Sequence, residues 1–357
     1  MRGRSAPLFF IRPTSAVLST PIPPASRIRS SAPTRVDLAG GTLDIYPLFH
    51  LFDHPPTLNA AIDVYATVEV IPRRDRRIVV VSRDRGVTGR FASLRSLPDR
   101  HPLELVLRTV KFYSPPRGLE VVTDCQAPQG SGIGGSSALN IALQGALNAF
   151  TGRRYPRNRI LEFAKNIETQ VIGVPAGWQD YFPALYGGVL AVQPGLTGVG
   201  YRRIDLDPAE LSRRFVLCYT GKPRRSGINN WQVLKKALDG NAAVIRNLTR
   251  IDRIARDMEG ALRTGHLNRL GGLLDQEWRA RQSLAPRIST PQMNRLLAAA
   301  KRSGALAGKV CGAGGGGCMA FWVRPGRRER VIQALENQGG EVLACRFVRR
   351  GLQVRKF

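Results

Sequence analysis

The chain has 357 residues, 43% of them hydrophobic, and a formal net charge of +28. That length accommodates two domains of ordinary size with real apolar cores, and no run of 18 apolar residues suggests a membrane-spanning helix. The positive excess favours anionic ligands, yet it is scattered rather than gathered in a tail, and with only 7% aromatic residues it gives little support to an RNA-binding protein.

Residues 1–30 contain no acid and are broken by Pro13, Pro21, Pro23 and Pro24. Their composition resembles a transit segment without its amphipathic helix, so a disordered extension, or a misassigned start codon, is expected there. Arg35–Leu38 reads as a short strand leading to a turn at Gly40-Gly41. Leu58–Ile71 and Arg77–Ser82 read as strands, pairing as a hairpin across residues 72–76. A helix is expected over Leu103–Phe112 and a strand over Leu119–Thr123. Leu139, Leu143, Ala146, Leu147 and Phe150 then recur at helical spacing. Asn158–Ile172 reads as a helix, and Gly187–Val192 and Phe215–Tyr219 as strands. Asn229–Leu262 and Leu267–Leu284 read as two helices parted near Gly265, with Pro291–Ser303 another. Strands at Lys309–Cys311 and Cys318–Val323 flank a glycine run. A helix at Arg328–Asn337 and a strand at Val342–Val348 close the chain. Strands early and helices mixed with strands later imply an α+β architecture.

Three segments carry the chemistry. In the first, residues 128–137, Pro128 is followed by Gly130, Ser131, Gly132, Gly134, Gly135, Ser136 and Ser137, directly before a helical run. Glycines let a ligand approach the backbone. Ser136 or Ser137 can cap the helix, and the free amides of its first turn form a phosphate cradle. No Lys-Ser/Thr pair follows the glycines, so the loop is not a Walker motif. The second segment runs from Ala32 to Asp44, with Arg35, Gly40, Gly41 and Asp44. The third runs from Gly308 to Phe321 and includes Gly312–Gly317.

In order and separation the three segments resemble the motifs of the GHMP small-molecule kinases, over about nine tenths of the chain. Within that family the first motif is similar to that of sugar kinases of the L-fucokinase and heptose 7-phosphate kinase type, which phosphorylate an anomeric hydroxyl, and Glu277-Trp278 with Ser283-Leu284 and the Tyr219–Lys222 stretch resemble the heptose type. An L-fucokinase- or galactokinase-like hexose kinase is the alternative. A catalytically idle binding protein of the same fold is a further one. The resemblance implies a ribosomal-protein-S5-domain-2-like N-terminal domain over residues 31–200 and a ferredoxin-like C-terminal domain over 201–357, with the site in the cleft between them. It implies ATP and Mg²⁺ as cofactors and a sugar or sugar phosphate as acceptor. Residues 128–137 would hold the nucleotide phosphates. Ser136, Ser137 and Glu168 would hold the metal, a hard cation preferring oxygen. Asp180 would act as general base, and Arg35 would stabilise transferring charge. Gly41, Asp44, Asn59, Asp180, Gly314 and Gly315 would contact the acceptor. Two positions depart from the pattern: Leu43 stands where a small polar residue is usual, and Gly135 where another serine is.

Cys125, Cys218, Cys311, Cys318 and Cys345 show no zinc spacing and no disulfide framework, which suits a reducing cytoplasm. His50 and His54, followed by Pro55-Pro56, read as loop or surface histidines rather than metal ligands. A monomer or homodimer is expected, with no membrane and no specific nucleic-acid partner.

Overall fold

The computed structural model describes residues 26–224 and 228–357; the expected extension lies outside these except at its end. There β1 (Ile28–Ala39) already begins, because Ile28 pairs with both Val70 and Lys356. The chain continues through α1 (Leu48–Leu51), β2 (Thr57–Pro72), β3 (Ile78–Ser82), β4 (Val87–Phe91), α2 (Glu104–Tyr113), β5 (Leu119–Cys125), α3 (Gly135–Thr151), α4 (Arg157–Ile172), α5 (Tyr181–Tyr186), β6 (Val189–Gly195) and β7 (Gly198–Ile204). One edge of the first sheet is formed by β12 (Gln353–Lys356), the last strand of the chain.

The sheet order is β12-β1-β2-β5-β3-β4, with β6 on the far half of β2 and β7 beside it. The hairpin expected between the second and third strands does not form. β3 pairs with β4 and, in parallel, with β5, which inserts between β2 and β3. The turn after β3 leads to β4, a strand of mixed polarity (Val-Thr-Gly-Arg-Phe) that periodicity alone does not reveal. Both long strands alternate in burial over the half nearest β12 and are buried on both faces over the other half. A strand buried on two faces marks a second covering layer. α3 is buried almost all round, as a core helix should be, and packs its apolar side chains with those of β1, β2, α2 and α4.

The second unit comprises α6 (Pro208–Arg213), β8 (Phe215–Tyr219), α7 (Ile228–Leu238), α8 (Ala242–Arg263), α9 (Leu270–Gln282), α10 (Pro291–Ser303), β9 (Ala305–Val310), β10 (Cys318–Val323), α11 (Arg328–Glu336) and β11 (Glu341–Leu343). Its antiparallel sheet, ordered β11-β8-β10-β9, is the fourth-first-third-second order of a βαββαβ ferredoxin-like unit. The architecture is therefore α+β with two sheets. The single long helix expected over 229–262 is two: Gly240 at φ +76° and Asn241, whose side chain accepts the Val244 amide, end one and cap the next. The last expected strand shrinks to β11, with Phe347 bridging to Ile62. The division of the chain near residue 200 stays a proposal. Strands through Ile204 belong to the first sheet, and Gln353–Lys356 returns to it. Ile254, Met258, Leu270 and Trp322 close against Val36, Leu38, Leu58 and Ala60 between the sheets. No helix among the described residues is long and apolar enough to cross a membrane.

Candidate active site

β5 delivers the chain to the first glycine segment. Gly130, Gly132 and Gly134 take φ of +69°, +78° and +80°, which only glycine adopts at no steric cost. Gly134 itself is the N-cap of α3, and no side chain caps the helix. The serines expected as caps therefore sit inside the first turn. Ser136 is exposed, while Ser137 is buried and donates to Glu168 Oε2 at 2.9 Å. A glycine cap leaves the first-turn amides, at the positive end of the helix, without a side-chain partner. At Gly135 a Cβ would stand 3.0 Å from the Ala127 Cβ and 3.3 Å from Cys125 Sγ. A serine there would crowd the end of β5, where glycine leaves room.

Glu168, on α4, is buried and also accepts from the Tyr181 hydroxyl at 2.8 Å. Burial pushes its carboxyl up, and the hydroxyls of Tyr181, Ser137 and Ser136 offset only part of that. No Lys or Arg pairs with it among the described residues. A buried carboxylate surrounded by hydroxyls and lacking a cation is a donor set suited to a hard divalent ion.

Arg35 points from β1 under the same loop. Its side chain is 1% exposed; Nη1 donates to the Gly132 carbonyl at 2.8 Å and Nη2 to Asp180 Oδ1, while its own amide bonds the Ile133 carbonyl at 3.0 Å. Burial works against the guanidinium charge, and Asp180 followed by Asp37 outweighs it, so the group is held more firmly protonated than usual. Asp180 precedes α5 but caps nothing with its side chain, which is 26% exposed. A turn-capping aspartate would have bonded the helix amides; this one is turned to Arg35.

Asp44 is fully buried. Its Oδ2 accepts the Gln179 amide at 2.7 Å and the Trp178 amide at 2.5 Å, and its Oδ1 has no partner. Burial raises its carboxyl to about 6, the Gln179 amide opposes the shift, and nearby Asp180 adds to it. A Cβ at Gly177 would fall 2.3 Å from Asp44 Oδ2, so that loop must be glycine to reach the carboxylate.

These groups line one cavity of about 440 Å³. Pro128, Gly130, Ser131, Gly132, Gly134, Gly135, Ser136, Ser137, Glu168, Arg35, Asp44 and Asp180 all contribute to it, along with Gly312 and Ala313 of the third segment. Its lining combines apolar side chains, among them Val106, Leu139 and Val171, with the polar Asp44 and Asn230. Four expected acceptor contacts lie off the wall. Gly41 gives its carbonyl to Arg281 at 3.0 Å. Asn59 is buried in the sheet beside Thr57. Gly314 and Gly315 pack on Ile288, whose carbonyl takes the Gly315 amide at 2.9 Å. Leu43 is buried among Trp278 and Ile251 in the second core rather than facing the cavity. The third segment is the β9–β10 connection, and it presses on the phosphate loop: the Cys318 amide donates to the Ser131 carbonyl at 2.6 Å, and a Cβ at Gly132 would fall 2.5 Å from the Cys311 carbonyl.

Two features escape sequence reasoning. One is a buried ionic network behind the first segment. Lys309 Nζ lies 3.0 Å from Asp37 Oδ2 and 3.6 Å from Glu277 Oε2, and Arg281 pairs with Glu277. Burial pushes the Asp37 carboxyl up, but Lys309, Arg281 and Arg35 outweigh it and hold it below the usual range. The other is Arg224, in the cavity wall two residues past the Tyr219–Lys222 stretch.

Models of the GHMP kinase N-terminal domain and C-terminal domain match residues 103–188 and 258–341. The D-glycero-alpha-D-manno-heptose 7-phosphate kinase of Campylobacter jejuni is 28% identical over 91% of this chain and 98% of its own length. The mevalonate kinase of Thermococcus sibiricus is 25% identical over 92% of this chain and 98% of that protein. A crystal structure of a D-glycero-D-manno-heptose 1-phosphate kinase from Bacteroides thetaiotaomicron superposes with a TM-score of 0.75 at 25% identity, covering 92% of this chain and 99% of that one. With both domain models matched and the glycine loop, Arg35 and Asp180 meeting in one cleft, this chain belongs to the GHMP kinases, as a sugar kinase that uses ATP.

Proposed function

We propose that the protein transfers the γ-phosphoryl group of Mg·ATP to the anomeric hydroxyl of an aldose that already carries a phosphate, in the manner of a heptose 7-phosphate kinase. The observation that carries this reading is the pairing of Asp180 with buried Arg35 in the wall of the cavity that the start of α3 and Asp44, with its unpartnered Oδ1, also line. The C. jejuni relative's name supplies the acceptor class. Residues 130–137 bind the nucleotide phosphates through backbone amides, and Ser136, Ser137 and Glu168 are the oxygen donors for the metal. When bound, Mg·ATP supplies the phosphoryl group and leaves as ADP. Asp44 accepts hydrogen bonds from acceptor hydroxyls, as a buried carboxylate does well. Asp180 orients the attacking hydroxyl and receives its proton, and Arg35 fixes that carboxylate while opposing negative charge on the phosphoryl oxygens. In phosphoryl transfer such positioning and charge stabilisation do most of the work.

A panel of aldoses and aldose phosphates, scored by ADP release and by phosphorus NMR of the product, tests the proposal. The expected product signal is one new phosphorus doublet, coupled to the anomeric proton, beside the signal of the phosphate the acceptor brings. Turnover with mevalonate but with no aldose or aldose phosphate would sink the reading.

A further inference from the structure

Arg224 lies on the segment after β8, where its amide bonds the Gly130 carbonyl at 3.2 Å. Its guanidinium occupies a slot made by two glycines of different segments. A Cβ at Gly132 would stand 2.7 Å from Nε, and one at Gly312 would stand 2.8–3.0 Å from Nη1, Nη2 and Cζ. Neither position has room for a side chain while the guanidinium is there. Nε is buried without an acceptor, and among the described residues the guanidinium makes no hydrogen bond and no salt bridge. The planar group thus packs against two glycines and is paired with no carboxylate. It is also a second cation beside Arg35, with Asp180 the acid that serves both; burial and the Arg35 charge both press against its protonation, and Asp180 offsets only part. A buried donor left unpaired is costly, and a guanidinium fork matches phosphate oxygens.

We infer that Arg224 binds oxygens of the phosphoryl group being transferred, from the C-terminal side of the cleft and opposite the amides of α3. The inference rests on the kinase reading and adds to it a catalytic residue. A phosphate on the acceptor has the same chemistry. The slot lies against Gly132 of the phosphate loop and beside the Arg35–Asp180 pair, which favours the transferred group. In that position Arg224 withdraws charge from the phosphoryl oxygens as the bond to the leaving ADP breaks and the bond to the acceptor oxygen forms, the acceptor proton passing to Asp180.

The test compares wild type with Arg224→Met and Arg224→Lys, all checked for unchanged circular dichroism. Calorimetry is run with inorganic tripolyphosphate, Mg·AMP-PNP and Mg·ADP, alongside kcat and KM for the best acceptor of the panel. Arg224→Met should weaken tripolyphosphate and Mg·AMP-PNP about tenfold or more and leave Mg·ADP within about twofold. Its kcat should fall about 10²–10³-fold. Arg224→Lys should recover part of both, because it keeps the charge and loses the fork; it carries the comparison alone if the methionine variant does not fold. Unchanged tripolyphosphate affinity, or equal losses for Mg·ADP and Mg·AMP-PNP, would overturn the inference. A rise in KM confined to phosphorylated acceptors, with Mg·AMP-PNP unaffected, would assign the guanidinium to the acceptor phosphate and overturn it too. If wild type turns over no acceptor, the kinase reading fails, while the tripolyphosphate arm still decides the role of Arg224.

Discussion

Arg35 and Asp37 stand two residues apart on β1, and each anchors a buried cluster of charge built on a different plan. Both side chains leave the same face of the strand, which has no register shift between them. To the rear, away from the cavity, Asp37, Lys309, Glu277 and Arg281 match two acids with two bases, and every side chain is at most 2% exposed. To the front, at the cavity wall, Arg35 pairs with Asp180, whose charge Arg224 also feels. Charge in a low-dielectric setting is costly unless paired. The rear cluster is closed: it ties β1 of the first sheet to β9 and α9 of the second unit. The front cluster is left one negative charge short, at the place where an anionic group is expected to bind. The same strand therefore presents a structural contact and a binding contact at neighbouring positions, and charge balance tells them apart.

Asp180→Asn strikes the open cluster hardest. Loss of the hydroxyl-directed carboxylate should lower turnover about 10²–10⁴-fold while Mg·ATP binding, carried by backbone amides, persists. The change also leaves two cations with no acid between them. Thermal protection by inorganic tripolyphosphate should accordingly be larger in the variant than in wild type, as linkage requires of a tighter-binding anion. Near wild-type turnover with the true acceptor would make Asp180 a structural partner of Arg35 and erase the contrast.

Lys309→Met probes the closed cluster. It strands the Asp37 carboxylate, and Glu277 in part, inside the protein. Breaking a buried pair from one side costs about 3–5 kcal/mol, readable as a shifted midpoint in urea unfolding. Asp37→Asn/Lys309→Met removes both charges and should lose less than the single variant. A single-variant loss below about 1 kcal/mol would show that the rear network tolerates an unpaired acid and does not depend on its charge balance.

Local chemistry was legible in the sequence and long-range juxtaposition was not. The loop at 130–137 could be read because positive φ and helix starts are written in neighbouring residues, and Arg35, Glu168 and Asp180 followed from resemblance to known motifs. Even so, the serines were expected as caps, and only the fold shows Gly134 in that role with Ser137 turned to Glu168. Gly240-Asn241 was a readable stop and start inside a long helical pattern that overrode it. β5 slips between β2 and β3 through a crossover that no hairpin signal encodes. The rear network joins positions 37, 277, 281 and 309, and Lys309 reads in sequence as one more strand-end lysine. Arg224 was hidden among 54 lysines and arginines; the sole hint was its place just past the Tyr219–Lys222 stretch.

Asp44 lies near both clusters, close enough to Asp180 to be raised by it and to Arg281 to add to the charge-stabilising effect of Glu277 and Asp37 on that guanidinium. Its carboxyl, ordinarily near 3.8, is raised to about 6, chiefly by burial. The folded chain therefore keeps a proton that the unfolded chain has already lost between about pH 4 and pH 6. Stability contributed by this group is greatest at low pH and declines as pH rises through that window. Above it the ionised group costs about 3 kcal/mol. Asp44→Asn cannot ionise; its carbonyl can keep the Trp178 and Gln179 amides, and its NH₂ takes the place of Oδ1. Urea unfolding should find the variant more stable than wild type at pH 7.5, by up to about 3 kcal/mol, with the difference fading toward pH 4. Acceptor binding should move the other way. The wild-type KM for the acceptor should climb as pH falls through 6 and the carboxylate is protonated, and the Asn variant should show a raised, nearly pH-independent KM. A variant less stable than wild type at pH 7.5, with an unchanged KM, would place Asp44 in the closed cluster as one more structural acid.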